Sequence, residues 1–195
     1  MSDMKNISGK VVNYNSSFNG TIFFDNQIQK IESNINIQSD NIIIPGFIDL
    51  HCHGGNGFDV MEGSKSIEKM SKYHLSHGTT SIMPTTWTNT FEDTYKALEG
   101  FNDIYNKNSN ILGIHLEGPF INPDKLGAQP NLTQLPSQEF IIKLLEVAKI
   151  KIITLAPEIK GMNEFINFLY GLNIKIQFGH SLANYNICKV YMDKY

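Results

Sequence analysis

The sequence contains no arginine, and its 16 basic residues are all lysines. Because the guanidinium group is the usual bidentate partner of phosphate, any phosphate bound here must be held by lysine, backbone N–H groups, amides or histidine. The net charge is -3, and no basic stripe interleaved with aromatic residues is present. This composition argues against a nucleic-acid partner.

Cysteine is also scarce. Cys52 and Cys188 lie far apart and do not form a CxxC motif, so no disulfide framework is predicted and a reducing compartment fits best. The sequence has no run of about 18 apolar residues, and its N-terminal MSDMKNISGK lacks the apolar core of a signal peptide. We therefore expect a cytoplasmic protein without a membrane partner. The hydrophobic content of 41% is that of a globular chain.

Two regions with different patterns follow one another along the chain. Residues 1–44 contain short strands with polar alternation between Asn, Gly, Ser and Asp turns, which predicts an incomplete small β-sandwich module. From residue 45 to residue 195, apolar strands alternate with amphipathic helical segments. The predicted strands lie in GFIDLHCH, GTTSIMPTTW, NILGIHLEGPF, IKIITLAPE and LNIKIQFGHS. The predicted helices lie in SIEKMSKYHLSHG, TFEDTYKALEGFNDIYNK, SQEFIIKLLEVAK, GMNEFINFLYG and NYNICKVYMDKY.

This alternation predicts an α/β fold built from parallel βα units that are buried on both faces. The residues capable of chemistry fall at the C-terminal ends of the strands, where (β/α)8 TIM-barrel enzymes have their active sites. Only five units are present, whereas a closed barrel needs eight units and about 250 residues. We therefore expect the front part of a larger barrel protein. An open doubly wound sheet, which tolerates five strands, is the alternative fold.

The segment IIIPGFIDLHCHGGNGFD ends an apolar strand in two histidines. Because successive strand side chains point to opposite faces, His51 and His53 share a face and Cys52 takes the other. Two such imidazoles can bind one divalent metal. The glycines that follow allow a tight turn around the site. The alternative is a pair of structural histidines at a strand end.

Two later strands end in similar residues. His115 and Glu117 share a face in LGIHLEGPF, and His180 ends the fifth strand in QFGHS. A carboxylate at a barrel mouth can bind one metal or bridge two, so Glu117 and His180 join His51 and His53 as predicted ligands. His115 is predicted to be a buried histidine that supports a ligand without binding the metal itself.

Other candidate residues receive structural interpretations. His74 and His77 lie three residues apart on the first predicted helix, without an acidic residue that would complete a HExxH site, so we expect surface or helix-end histidines. Trp87 and Phe91 are expected to pack at the barrel rim. The loop INPDKLGAQPNLT is a candidate substrate lid because it is long and rich in proline, glycine and asparagine.

Five segments occur in the order and spacing of one known family: PGFIDLHCHGG, GTTSIMPT, LGIHLEGPFINPDKLGAQP, TLAPE and GHS. The sequence resembles the N-acetylglucosamine-6-phosphate deacetylases of the amidohydrolase superfamily. The likeness extends from about Gly9 to the last predicted helix, and the pair HLEGPF and GAQP makes it more specific than a general HxH signature.

The resemblance implies a metal-dependent hydrolysis of N-acetylglucosamine 6-phosphate to glucosamine 6-phosphate and acetate, in amino-sugar catabolism. Glu117 and His180 match the family's core metal ligands. His51 and His53 match a histidine pair found in members that hold a second metal. The implied cofactor is therefore one or two divalent ions, Zn or Fe.

The resemblance also implies contacts with substrate and partner. Ala128 and Gln129 match loop positions that touch the sugar-phosphate substrate, and the complete enzyme is expected to be a homodimer. The family's third core histidine, its catalytic aspartate and most of its phosphate-binding groups are expected beyond residue 195. No catalytic residue is therefore predicted within the chain, and little activity is expected from it alone.

Two alternatives stay open. One is an amidohydrolase that acts on cyclic amides, which is disfavoured because the fourth strand ends in TLAPE without a bridging lysine. The other is a catalytically inactive, truncated remnant or an association module, since an incomplete barrel leaves open sheet edges.

Overall fold

The computed structural model describes residues 4–194, and the chain divides between Gly46 and Phe47 into two compact units. The boundary expected from the sequence is between residues 44 and 45. Residues 1–3 of the first predicted domain and Tyr195 of the last predicted helix lie outside the described residues. No helix in the described range combines the length and the apolar character needed to cross a bilayer.

The first unit is a four-stranded sheet in the order β3-β2-β1-β4. β1 and β2 pair antiparallel with Gly9 opposite Gly20, whereas the short β4 pairs parallel to β1. Val11 and Ile22 are buried. The strands are β1 (Lys5–Val12), β2 (Ser17–Phe24), β3 (Ile28–Ser33) and β4 (Ile42–Ile43).

The second unit contains a five-stranded parallel sheet and a two-stranded hairpin. The sheet strands run β11-β10-β9-β8-β5, so each strand lies beside its neighbour in chain order. A doubly wound sheet reverses its strand order at a switch point. This sheet has no such reversal, so the alternative fold is wrong and the sheet is a curled half-barrel. The strands are β5 (Phe47–Cys52), β6 (Gly54–Gly55), β7 (Phe58–Asp59), β8 (Thr79–Thr86), β9 (Ile114–Glu117), β10 (Ile150–Leu155) and β11 (Lys175–Phe178).

Helices alternate with the parallel strands and cover the apolar sheet. Every residue of β9 is buried, as expected for a strand in the middle of a parallel sheet. The helices are α1 (Ser64–Ser76), α2 (Phe91–Leu98), α3 (Phe101–Tyr105), α4 (Gln138–Val147), α5 (Met162–Gly171) and α6 (Tyr185–Met192). The largest fully buried side chains are Phe101, Phe120, Ile67, Met70, Ile82, Leu98, Ile114, Leu116, Ile121, Ile141, Leu144 and Ile153.

One helix prediction is corrected. The segment TFEDTYKALEGFNDIYNK was expected to be one helix, but it forms two, α2 and α3. Glu99 leaves the helical conformation with ψ 130°, and Gly100 adopts a left-handed φ of 77°. Glycine ends helices in this conformation at little steric cost, so it overrides the amphipathic pattern that continues on both sides.

Candidate metal centre

The side chains of His51, His53, Glu117 and His180 converge at one end of the parallel sheet. His51 lies within β5 and His53 follows its last residue, Glu117 is the last residue of β9, and His180 lies two residues after β11. The carboxyl ends of parallel strands meet at the same edge of a barrel. Residues from the ends of three different strands therefore lie close together.

Glu117 lies at the middle of this group. Its Oε1 is 3.6 Å from Nε2 of His51 and 3.2 Å from Nε2 of His180, and its Oε2 is 3.1 Å from Nε2 of His53. The two Nε2 atoms of His51 and His53 are 3.2 Å apart. Donor atoms of His51, His53 and Glu117 all lie within 4.8 Å of one another, and His180 reaches the same carboxylate.

Charge and burial act against each other at Glu117, whose side chain is only 5% exposed. Burial by itself raises its pKa, but the hydrogen bond from His53 and the neighbouring imidazoles of His51 and His180 lower the pKa overall. For His53, burial lowers the pKa, but the hydrogen bonds to Glu117 and to the Thr85 carbonyl raise it overall. The carboxylate is therefore held in its ionised form.

Gln129 also holds the Glu117 carboxylate. Its Nε2 donates to Oε2 of Glu117 at 2.6 Å, and its Oε1 accepts from the Thr88 N–H at 2.7 Å. The side chain is buried. Gln129, predicted to contact substrate as a lid residue, is thus engaged with a predicted ligand in this structure.

The two outer histidines are oriented by backbone and ring contacts. Nδ1 of His53 lies 3.0 Å from the Thr85 carbonyl, and its ring stacks on Trp87 with centroids 4.0 Å apart. Nδ1 of His180 lies 2.9 Å from the Lys125 carbonyl, and His180 itself adopts a left-handed φ of 52°. A carbonyl that accepts from Nδ1 turns Nε2 of each ring toward the cluster, where it can bind a metal once it carries no proton.

His115 lies beside the cluster, and both of its ring nitrogens contact groups other than the Glu117 carboxylate. Its Nδ1 lies 3.0 Å from the Leu50 carbonyl, and its Nε2 lies 2.7 Å from Oγ1 of Thr154. Its ring packs edge-on against His51 with centroids 4.9 Å apart. Burial lowers the pKa of His115 to about 4, so the ring is neutral at physiological pH. His115 therefore supports His51 through this ring contact.

The donor set fits a divalent transition metal. Three imidazole nitrogens and a carboxylate are typical ligands of Zn²⁺ and of non-haem iron. Two imidazole nitrogens bonded to one tetrahedral zinc lie about 3.3 Å apart, close to the 3.2 Å between His51 and His53. Oε1 of Glu117 faces His51 and His180, and Oε2 faces His53. The carboxylate could therefore bind one ion or join two.

An open cavity of about 570 Å³ adjoins the cluster at Trp87 and Thr88. Ala128, the other predicted substrate contact, is exposed and lines this cavity. Asp59 and Glu62 also line it, and none of the described lining residues is a lysine. The two carboxylates would therefore repel a phosphate group from this wall.

Sequence reasoning missed two features near the cluster. Trp87 does not merely pack the rim, because it covers the His53 ring and its Nε1 donates to Asp59 Oδ2 at 3.2 Å. His74, expected at the surface or at a helix end, lies in the last turn of α1, and it is half-buried with Nε2 3.2 Å from Sγ of Cys52. The contact with Cys52 was not predicted, because it depends on which face of α1 is turned toward the strand end. His77 is exposed at the C-terminal end of α1, and Phe91 packs against Phe140.

Known proteins resemble this chain in sequence. The amidohydrolase family model matches residues 42–190. The N-acetylglucosamine-6-phosphate deacetylase of Bacillus subtilis is 33% identical over 188 residues, an alignment that covers 91% of this chain and 48% of the relative. The enzyme of the same name from Caenorhabditis elegans is 34% identical over 179 residues, which covers 84% of this chain and 42% of the relative. The chain spans about half the length of these curated relatives.

Solved structures agree with the fold. The N-acetylglucosamine-6-phosphate deacetylase of Thermotoga maritima superposes with a TM-score of 0.86 at 26% identity, over 97% of this chain and 52% of that one. The corresponding enzyme of Mycobacterium smegmatis gives a TM-score of 0.86 at 23% identity, over 96% and 53%. Because the family model matches residues 42–190 and the solved structures share the fold, the chain belongs to the amidohydrolase family.

Proposed function

We propose that this chain forms part of a metal-dependent hydrolase that removes the acetyl group from N-acetylglucosamine 6-phosphate. The products would be acetate and glucosamine 6-phosphate, in amino-sugar catabolism. The observation that carries the proposal is the convergence of three imidazoles on the buried Glu117 carboxylate, with distances of 3.1–3.6 Å. Relatives with about one third sequence identity bear the name of this deacetylase.

The proposed ligands are Glu117 and His180, joined by His51 and His53. A bound Zn²⁺ or Fe²⁺ ion would supply Lewis acidity and lower the pKa of a water molecule toward neutrality. Gln129 keeps the Glu117 carboxylate oriented. Ala128 offers backbone to the sugar beside the cavity described above.

The other proposed properties concern the complete protein. We propose that residues 1–44 belong to a small β module and residues 45–195 to the first part of a (β/α)8 barrel. The complete enzyme would be a cytoplasmic homodimer that binds a sugar phosphate, and the proton donor to the leaving amine would come from outside these residues.

The first test is a zinc titration of the metal-free 195-residue chain with the Glu117→Gln variant beside it. Loss of the Glu117 carboxylate should weaken zinc binding at least tenfold. Substitution of residues that only hydrogen-bond to a metal ligand already lowers metal affinity by about 10–100-fold. Glu146→Gln, at an exposed position on α4, is the matched control. Equal zinc affinity together with an equal number of zinc ions per chain in wild type and Glu117→Gln would refute the metal site.

The second test measures hydrolysis of N-acetylglucosamine 6-phosphate by the zinc-loaded chain, read as release of glucosamine 6-phosphate. Little or no turnover is expected from the 195 residues alone. If turnover occurs and Glu117→Gln abolishes it, the deacetylase function gains support while the expectation of inactivity fails.

The second candidate function is association without catalysis. Both edge strands of the described parallel sheet, β5 and β11, are unpaired on one side. Ile48 is 66% exposed and Leu50 is 41% exposed on β5, and exposed apolar edges favour pairing with another chain. Sedimentation analysis that gives a monomer at micromolar concentration would argue against this alternative.

A further inference from the structure

A second cluster of metal-binding side chains lies on the other side of β5. Cys52, between the two predicted histidine ligands, points to the side that faces α1. One ligand atom each from Asp49, Cys52 and His74 lies within 4.8 Å of the others. All three residues are half-buried.

The three polar contacts within this cluster outnumber the hydrogen atoms that could form hydrogen bonds in them. Sγ of Cys52 lies 3.1 Å from the Gly54 carbonyl oxygen, Nε2 of His74 lies 3.1 Å from the same oxygen, and Sγ and Nε2 lie 3.2 Å apart. A neutral thiol and one imidazole nitrogen bring at most two hydrogens to these three contacts. Two hydrogens at most therefore serve three contacts, and a cation bound by Sγ and Nε2 would take the place of the direct contact between those two atoms.

The separation of the two atoms matches metal coordination. A tetrahedral zinc bonded to a thiolate at about 2.3 Å and to an imidazole nitrogen at about 2.0–2.1 Å holds them roughly 3.5 Å apart. The observed distance between Sγ of Cys52 and Nε2 of His74 is 3.2 Å. The two atoms would have to separate by only about 0.3 Å to bind a zinc ion between them.

The backbone around β5 allows His74 and Asp49 to lie close to Cys52. A Cβ atom at Gly55 would come within 2.6 Å of Nε2 of His74, so glycine leaves the space that the ring occupies. Oδ1 of Asp49 accepts a hydrogen bond from the His51 N–H at 3.0 Å, which fixes the carboxylate beside the strand. Each donor is thus held by the local fold.

We propose that Asp49, Cys52 and His74 form a second site for a divalent transition metal of the zinc class. A thiolate with an imidazole favours Zn²⁺ or Co²⁺ over Mg²⁺ or Ca²⁺, which prefer oxygen ligands. Three protein ligands leave the fourth tetrahedral position for water. The site differs chemically from the Glu117 cluster, which contains no sulfur.

The experiment uses this difference. The metal-free chain is saturated with ZnCl₂ and examined by zinc K-edge absorption spectroscopy, in which sulfur scattering at about 2.3 Å identifies a Zn–S bond. We expect this signal in the wild type and in Cys188→Ser, where Cys52 is the remaining cysteine. Titration with CoCl₂ should give a thiolate-to-cobalt charge-transfer band in the same two proteins.

Substitutions then assign the ligands. Cys52→Ser should lose the sulfur signal and about one zinc per chain, whereas Glu117→Gln should keep the sulfur signal. His74→Ala should bind cobalt at the sulfur site at least tenfold more weakly. His77→Ala, at the residue that follows the same helix, should match the wild type.

Two outcomes would overturn the proposal. One is the absence of sulfur scattering in folded, zinc-saturated Cys188→Ser protein, a result that does not depend on whether Cys52→Ser folds. The other is a cobalt charge-transfer band that survives Cys52→Ser and disappears in Cys188→Ser. Because the readout is sulfur, it is independent of whether the Glu117 cluster binds metal.

Discussion

Replacing Glu158 with glutamine tests how the loop that carries His180 is held. Oε1 of Glu158 accepts from Asn122 Nδ2 at 2.8 Å and from the Leu182 N–H at 2.6 Å, and Oε2 accepts from Ser181 Oγ at 2.6 Å. One carboxylate, just after β10, therefore joins the loops that follow β9 and β11. Asn122 also donates its backbone N–H to the His180 carbonyl at 2.9 Å.

The size of the effect follows from the charge. A hydrogen bond to an ionised group contributes about 1.5–3 kcal/mol and one between neutral groups about 0.5–1.5 kcal/mol. Glutamine can keep all three bonds, since its amide can donate to Ser181 Oγ, but it loses the charge on each. Three such losses give about 3 kcal/mol, and partial exposure of Glu158 reduces this to about 1–2 kcal/mol of unfolding free energy.

The pH dependence has a defined sign. Burial by itself raises the pKa of Glu158, but hydrogen bonds from Ser181, Leu182 and Asn122 outweigh it and lower the pKa below its ordinary value of 4.5. Because the folded pKa is the lower one, the stabilisation is fully present above the unfolded pKa and is lost as the pH falls through the folded pKa. The difference between wild type and Glu158→Gln should therefore shrink in acid.

Urea denaturation at pH 7 and at successively lower pH measures this difference directly. Glu164→Gln, exposed on α5, is the control and should change stability by less than about 0.5 kcal/mol. Equal stability of Glu158→Gln and wild type at pH 7, or a difference between them that stays constant down to about pH 3, would refute the role given to the Glu158 charge. Zinc affinity, measured in parallel, should fall up to about tenfold because the His180 loop is less firmly held.

Three further substitutions address the cluster and the core. Gln129→Ala removes the amide that orients the Glu117 carboxylate, so zinc affinity should fall by about 10–100-fold in a chelator competition. Trp87→Ala removes the ring that stacks on His53, an interaction that contributes about 0.5–1.5 kcal/mol. Zinc affinity should therefore fall up to about tenfold. Phe120→Ala, at a fully buried position, should lower the free energy of unfolding by about 3–5 kcal/mol in urea denaturation.

Controls keep these effects separate. Gln134→Ala changes a glutamine whose Nε2 donates to the Asn89 carbonyl, and it should leave zinc affinity unchanged. Phe47→Ala, at a side chain 59% exposed, should destabilise far less than Phe120→Ala. Unchanged zinc affinity in Gln129→Ala, or equal costs of the two phenylalanine substitutions, would contradict the assigned roles.

Strand periodicity carried most of the information about the fold. Apolar runs separated by amphipathic segments predicted the parallel units, and side-chain alternation predicted that His51 and His53 share a face. Their Nε2 atoms are 3.2 Å apart. Repetition at successive strand ends also pointed to Glu117 and His180, because parallel strands present their carboxyl ends at one edge.

Contacts that depend on loop paths and helix rotation could not be obtained this way. The bond from Gln129 to Glu117 requires the loop after β9 to fold back on the strand it leaves. The approach of His74 to Cys52 depends on how α1 is rotated against the sheet. Periodicity places a residue on a helix face, but it does not specify what a neighbouring element brings to that face.

The stacking of Trp87 on His53 provides an intrinsic optical probe. Trp87 is the one tryptophan among the 195 residues, so all indole emission of the protein comes from a ring that lies 4.0 Å from a proposed ligand. A change in the charge or coordination of that imidazole should alter the emission, whereas the Cys52 cluster has no indole against it. Unlabelled protein can therefore report which of the two clusters an added ion enters first.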